Sequence, residues 1–217
     1  ELMFADFFGV AMDQIYNNMA KTAYMSGGST SVPMVLATAV GGTYNDAAQH
    51  SQTLYGTFAH LPGMKVVVPS NPHDAKGLMT AALNGTDPVI FFESQRLYDY
   101  GEQFHQGGVP VESYEIAIGE PDIKRQGKDL TILTIGATLY RALEAAERFE
   151  KEFGLSVEVI DARSMVPFNY EKVIESVQKT GRIIVAGDAC DRGSYLSELA
   201  RNIGDLCFDD LDAPVAV

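Results

Sequence analysis

Met64-Lys65-Val66-Val67-Val68-Pro69-Ser70-Asn71-Pro72-His73-Asp74-Ala75-Lys76-Gly77-Leu78-Met79-Thr80-Ala81-Ala82-Leu83 decides the fold. A short, almost wholly apolar run, Met64 to Val68, is what a strand buried on both faces of a parallel sheet requires. After it, Ala75, Leu78, Met79 and Ala82 recur at spacings of three and four, which predicts a helix over Pro72 to Leu83 with one apolar face. Asn71 is placed to cap it, Pro72 takes the first helical position, and Asp74 puts a carboxylate in the first turn. A buried strand passing through a tight turn into an amphipathic helix is the repeating unit of an α/β protein.

The same unit recurs outward along the chain. Apolar runs at Pro33 to Leu36, Val89 to Phe92, Leu130 to Ile135, Ser156 to Ile160 and Arg182 to Ala186 read as further buried strands. Leu139, Ala142, Leu143, Ala146, Phe149 and Phe153 predict a helix over Thr138 to Phe153, ended by Gly154 where a left-handed residue is wanted. From Leu97 to Gly127 no helical period is sustained, and a connection that long inside one compact domain is unusual. The expectation is therefore α/β, as two domains with mostly parallel sheets: residues 1–98, a linker at 99–119, and residues 120–217.

Composition narrows the function classes. Hydrophobic residues make up 46% and charged residues 21%, ordinary globular usage. The formal net charge of −13 argues against a nucleic-acid footprint, which needs clustered positive charge. No run approaches the roughly 18 consecutive apolar residues of a membrane span. Cys190 and Cys207, the only two cysteines, imply no disulfide framework, so a cytoplasmic, reducing compartment is expected.

The phosphate-loop patterns Gly-x-Gly-x-x-Gly and Gly-x-x-x-x-Gly-Lys are absent. Gly27-Gly28 and Gly41-Gly42 read as turn glycines, and Gly136 as a strand-to-helix turn. No Gly-x-Ser-x-Gly elbow marks a serine hydrolase. His60 is expected to end a helix, His73 to stand in a helix's first turn, and His105 to be solvated. His50 differs. In Ala47-Ala48-Gln49-His50-Ser51-Gln52 it stands among small and polar neighbours, where an imidazole can serve as acid, base or anion contact, although a solvent-facing turn would use the same residues. Three phenyl rings crowd Phe4-Ala5-Asp6-Phe7-Phe8; such a cluster is either core or a stacking surface for a flat heterocycle.

Several blocks, taken in order, resemble one family. They are Glu1-Leu2-Met3-Phe4-Ala5-Asp6-Phe7, Met12-Asp13-Gln14-Ile15, Ala20-Lys21-Thr22-Ala23-Tyr24-Met25-Ser26-Gly27-Gly28, Gln49-His50-Ser51-Gln52, Pro62 to Pro72, Asp74 to Leu78, Pro88 to Glu93, Ile160-Asp161-Ala162-Arg163-Ser164 and Lys179-Thr180-Gly181-Arg182. The family is the beta subunit of the thiamine-diphosphate-dependent decarboxylating component of 2-oxoacid dehydrogenases, which act on pyruvate, branched-chain 2-oxoacids or acetoin. The resemblance implies a transketolase-like pyrimidine-binding domain followed by a transketolase C-terminal domain. It also implies a heterotetramer with an alpha subunit that holds magnesium and the diphosphate, and acyl transfer to the lipoyl group of an acyltransferase core. Phe7 matches the aromatic that packs on the aminopyrimidine ring, Met3 a nearby pocket residue, and His50 the histidine beside the thiazolium and substrate.

The chain also departs from the pattern. It is expected to begin midway through the pyrimidine domain and to stop short of the family's C-terminal segment, so these 217 residues alone are expected not to turn over a 2-oxoacid. The glutamate that activates the pyrimidine lies upstream of Glu1 in the family. A transit peptide in that upstream part would place the protein in an organelle matrix. Thr43-Tyr44-Asn45-Asp46 is bulkier and more acidic than the family's small stretch, and a carboxylate there would favour an imidazolium at His50 if it pointed inward. Some members hold a structural potassium ion near the segment matching Ala82 to Asp87; here Gly85 replaces a common aspartate, which speaks against that site. The Leu2 to Phe7 and Val66 to Pro72 blocks lean toward acetoin or branched-chain members. A transketolase-type carboligase and a non-catalytic assembly module are the alternatives.

Overall fold

The structure, a computed structural model, describes residues 1–42 and 47–217. The Thr43 to Asp46 stretch discussed above lies outside the described residues. Two four-stranded sheets form the frame. The first contains β1 (Val35–Val40), β2 (Lys65–Val67), β3 (Val89–Ser94) and β7 (Ser164–Val166) in the order β1-β3-β2-β7. The second contains β4 (Asp122–Arg125), β5 (Leu130–Thr134), β6 (Val157–Asp161) and β8 (Ile183–Ala186) in the order β4-β6-β5-β8.

Four of the pairings are parallel, and β7 and β4 join antiparallel at their sheets' edges. Neither edge strand was legible. Ser164–Val166 is only three residues long, and Asp122–Arg125 carries three charged side chains that hide it in the Leu97 to Gly127 stretch. The first strand also lies further on than the apolar run Pro33 to Leu36 indicates, since pairing with Val89 to Ser94 carries it to Val40.

Both faces of each sheet are covered, which is why the strands are so apolar. On the first sheet Val67, Val89 and Phe91 meet Leu78 and Ala82 of α3 (Pro72–Asn84). The alternate residues Val66, Val68, Ile90 and Phe92 face a larger core built with Tyr55 and Phe58 of α2 (Tyr55–Ala59). On the second sheet Ile132, Val157 and Val159 pack on Leu139, Ala142 and Ala146 of α4 (Thr138–Phe153). Its other face meets α5 (Glu171–Thr180) and α6 (Tyr195–Leu206) through Val173, Val177, Leu199 and Ile203, in the same large core. The two halves thus share one hydrophobic interior, and β7, from the second half in sequence, pairs with β2 of the first.

Local signals explain the helix ends. Asn71 Oδ1 accepts from Asp74 N at 3.0 Å, the expected cap of α3. Gly154 ends α4 at φ +68°, the left-handed value a Cβ disfavours. Phe153, read as part of the α4 apolar face, is 58% exposed, with its ring against Phe149 at 4.8 Å. The connection between the halves is strapped along α3 rather than left loose: Ile116 N donates to Gly77 O at 3.1 Å and Tyr114 Oη to His73 O at 2.8 Å. A Cβ on Gly77 would fall within 2.8 Å of Ile116 and Tyr114, so the strap needs glycine there. His105 is exposed, as expected, and its ring also stacks on His73 at 4.2 Å. Among the described residues no helix is long and apolar enough to cross a membrane, and both cysteines are free.

Candidate active site

The N-terminal segment is laid against β1 by two bonds, Leu2 N to Ala37 O at 2.9 Å and Thr38 Oγ1 to Leu2 O at 2.8 Å. From that anchor the chain turns into a helical stretch: 3₁₀ turns over Ala5–Ala11, a π-helical stretch over Gln14–Met19, then α1 (Ala20–Met25). Fully buried Ala5 sits at its head, and Phe8 goes inward, stacking on Tyr16 at 5.9 Å and meeting Phe58 edge-on at 5.6 Å. Phe4 and Phe7 instead stand over the loop that leaves β1. The ring cluster read as core or stacking surface therefore divides between both uses.

That loop carries His50. Its imidazole meets Phe4 at 5.0 Å with an interplanar angle of 79°, and Phe7 at 5.4 Å and 60°, both edge-to-face. Asp6, between those rings, accepts from Gln52 N at 3.1 Å and Gln52 Nε2 at 2.8 Å, tying the far side of the loop to the same segment. Its other oxygen, Oδ2, is buried with no hydrogen-bond partner. Gly41 N donates to Gln52 O at 3.2 Å and closes the loop's neck. Gly41 has φ +75°, the left-handed backbone conformation that favours glycine.

Phe7 and His50, expected at one site, are together; Met3 is 65% exposed on the same segment. Sequence reasoning missed Gln95, Arg96 and Asp188, which hold the loop from beneath. Gln95 Nε2 donates to Gly41 O at 2.7 Å and to His50 O at 3.0 Å. Arg96 Nε donates to Gly42 O at 3.0 Å, and its guanidinium lies 3.8 Å from Asp188. Burial raises the pKa of Asp188, with Arg96 opposing. None belongs to a recognisable motif, and only strand register brings them here.

A second polar cluster joins the halves beside the same strand ends. Lys124 Nζ lies 2.7 Å from both Asp74 and Asp122, and Arg163 lies 3.4 Å from Asp74. Asp161, completely buried, accepts from Ser70 Oγ at 2.9 Å and Arg163 N at 3.2 Å. Burial pushes its pKa up to about 7 although Lys124 pulls it down. Asp74 is held below the ordinary carboxylate value because Lys124 and Arg163 outweigh its desolvation. Among the described residues no group of three or more His, Cys, Asp or Glu is placed to hold a metal ion.

Comparison with known proteins follows this division. The family "Transketolase, pyrimidine binding domain" matches residues 1–100, and "Transketolase, C-terminal domain" matches residues 119–217. Similar proteins include the beta subunit of acetoin:2,6-dichlorophenolindophenol oxidoreductase from Bacillus subtilis, 45% identical over 99% of this chain and 61% of that protein. The chain belongs to the transketolase-like family, and its relatives by sequence are named as beta subunits of dehydrogenases or of an acetoin oxidoreductase. Within that family the 2-oxoisovalerate dehydrogenase subunit beta of B. subtilis is 42% identical over 99% of this chain and 64% of its own length. The pyruvate dehydrogenase E1 component subunit beta of the same organism is 40% identical over 99% of this chain and 65% of its own length. The chain thus spans somewhat under two thirds of these relatives. A solved structure described as a split-gene transketolase, inactive beta4 tetramer, has the same fold with a TM-score of 0.73 at 24% identity, over 98% of this chain and 64% of that one.

Proposed function

We propose that this chain is the beta-subunit part of a thiamine-diphosphate-dependent 2-oxoacid dehydrogenase, which decarboxylates a 2-oxoacid, or cleaves acetoin, and passes the acyl unit to a lipoyl group. The observation that carries the reading is the packing of His50 against Phe4 and Phe7 at the C-terminal end of β1. Open parallel sheets bind ligands outside the carboxyl ends of their strands. The residues fit the cofactor's ring half: two phenyl rings offer an apolar bed for a flat heterocycle, and the unpartnered Oδ2 of Asp6 leaves a buried acceptor beside them.

When bound, thiamine diphosphate supplies a nucleophilic thiazolium carbon and an acceptor for the electrons that carbon dioxide leaves behind. This chain's share is arrangement and proton handling. Phe7, with Phe4 beside it, packs on the pyrimidine and keeps water from it, and Met3 borders the same pocket. Held at fixed distance from both rings, the imidazole of His50 has one ring nitrogen to give a proton and one to take it where substrate oxygen changes charge. The diphosphate and magnesium are assigned to an alpha subunit, in a heterotetramer that docks on a lipoyl acyltransferase core.

The experiment is copurification of the full-length beta subunit with its alpha partner, followed by assays with pyruvate, branched-chain 2-oxoacids and acetoin, with and without thiamine diphosphate and magnesium. Cofactor-dependent turnover of one of these is expected. Failure of the assembled complex on all of them would overturn the reading.

A further inference from the structure

Neither β1 nor β3 carries the candidate catalytic imidazole, yet their pairing decides where it stands. Val40 of β1 is in register with Ser94 of β3, so the next residues, Gly41 and Gln95, emerge side by side. Gln95 is 4% exposed, and its amide nitrogen lies 2.7 Å from Gly41 O and 3.0 Å from His50 O. A carboxamide nitrogen has two hydrogens, one for each carbonyl. One side chain therefore ties the start of the loop to the residue nine positions later. Arg96 makes the adjoining bond to Gly42 O at 3.0 Å, so consecutive residues of β3's extension hold consecutive residues of the loop.

We propose that Gln95 is a positioning residue for His50: by bridging Gly41 O and His50 O it fixes the backbone from which the imidazole projects, and so sets the ring's place against Phe4 and Phe7. This rests on the reading of His50 given above. Gln95 acts through the backbone, so its loss moves the histidine without removing any group that touches substrate or cofactor. A displacement of about 1 Å in a reacting group can cost on the order of a hundredfold in rate. Neither a methionine nor a glutamate side chain can donate to two carbonyls, although both fill nearly the same volume as glutamine.

The test uses the full-length beta subunit assembled with its alpha partner, as Gln95→Met, Gln95→Glu, His50→Ala and the double variant Gln95→Met/His50→Ala. We expect both Gln95 variants to lower kcat about 10- to 100-fold, with KM and cofactor affinity changed less than about threefold, and to shift the pH profile of kcat. Amide hydrogen exchange of peptides spanning 41–52 should quicken while that of β1 and β3 stays unchanged. The double variant should turn over no more slowly than His50→Ala alone, since a residue that acts through another adds nothing once that other is gone. Unchanged kcat in Gln95→Met, unchanged loop exchange, or losses that add in the double variant would each overturn the proposal. If His50→Ala itself keeps full turnover, it is the reading of His50 that fails. Should Gln95→Glu assemble poorly, Gln95→Met carries the test, its exchange pattern reporting whether the strands remain intact.

Discussion

Replacing Asp161 by asparagine should remove one expected contribution to the fall of stability between acidic and neutral pH. Asp161 is completely buried between the two halves, and its carboxyl pKa is pushed from the ordinary 3.8 to about 7. Burial is the main cause; Asp74 adds to it and Lys124 opposes it. Because the folded pKa lies above the unfolded one, the folded state keeps a proton that the unfolded state has released, so stability falls as pH rises from about 4 to about 7 and then levels off. Worked through linkage, the charge costs roughly 2 kcal/mol at about pH 5 and roughly 4 kcal/mol at about pH 8, a difference of about 2 to 3 kcal/mol.

Asparagine keeps an oxygen for Ser70 Oγ and Arg163 N and carries no charge. Relative to wild type it should therefore gain about 2 to 3 kcal/mol between those two pH values, read as the difference between urea-denaturation free energies. Taking the difference cancels Asp188 and Glu93, whose pKa values burial also raises. Asp74 does not interfere, since its lowered pKa confines its effect to more acidic solution. Denaturation free energies that stay parallel for the two proteins across this range would refute the reasoning and place the Asp161 charge in a better-solvated setting than its burial indicates.

Other perturbations have definite outcomes. Gly63→Ala puts a Cβ about 2.0 Å from Ala20 O at φ +106°, so a loss of about 3 kcal/mol or more should appear as a lower denaturation midpoint; an unchanged midpoint would show that the turn relaxes freely. Lys124→Met takes the nearest cation from Asp74, 1% exposed, leaving Arg163 at 3.4 Å, Asn71 Nδ2 at 2.8 Å and the His73 ring at 3.3 Å, and should cost about 3 to 5 kcal/mol; adding Asp74→Leu should recover part of that loss, and two additive losses would show that Lys124 and Asp74 do not stabilise each other. Leu199→Ala opens a cavity in the core shared by both halves, so one cooperative transition, lowered by about 2 to 5 kcal/mol, is expected in calorimetry. Two separated transitions would mean the halves unfold independently.

Periodicity was a good guide wherever burial is two-sided. Val66, Val67 and Val68 are apolar because α3 covers one face of their strand and the large core the other, and the cap on α3 is local chemistry, so both could be read directly. What could not be read depends on register between distant segments. Gln95 looks like any polar residue after a strand until Val40 and Ser94 are known to pair. Asp161 closes an apolar strand and gives no hint that Ser70, 91 residues away, meets it. Asp122–Arg125 hides as a strand because an edge position tolerates its charges. The candidate site was legible for the opposite reason: Phe7 and His50 fall within short blocks that resemble the family, whereas the residues that hold them lie outside such blocks or carry no chemistry of their own.

The most direct measurement is a steady-state comparison of wild type and His50→Ala in the assembled enzyme, with turnover of the preferred 2-oxoacid or acetoin and thiamine diphosphate affinity determined on the same samples. An imidazole that handles protons beside the substrate contributes on the order of 100- to 10,000-fold, so turnover should fall by that factor while cofactor affinity changes only slightly. Turnover equal to wild type in a complex that still binds the cofactor would contradict the account.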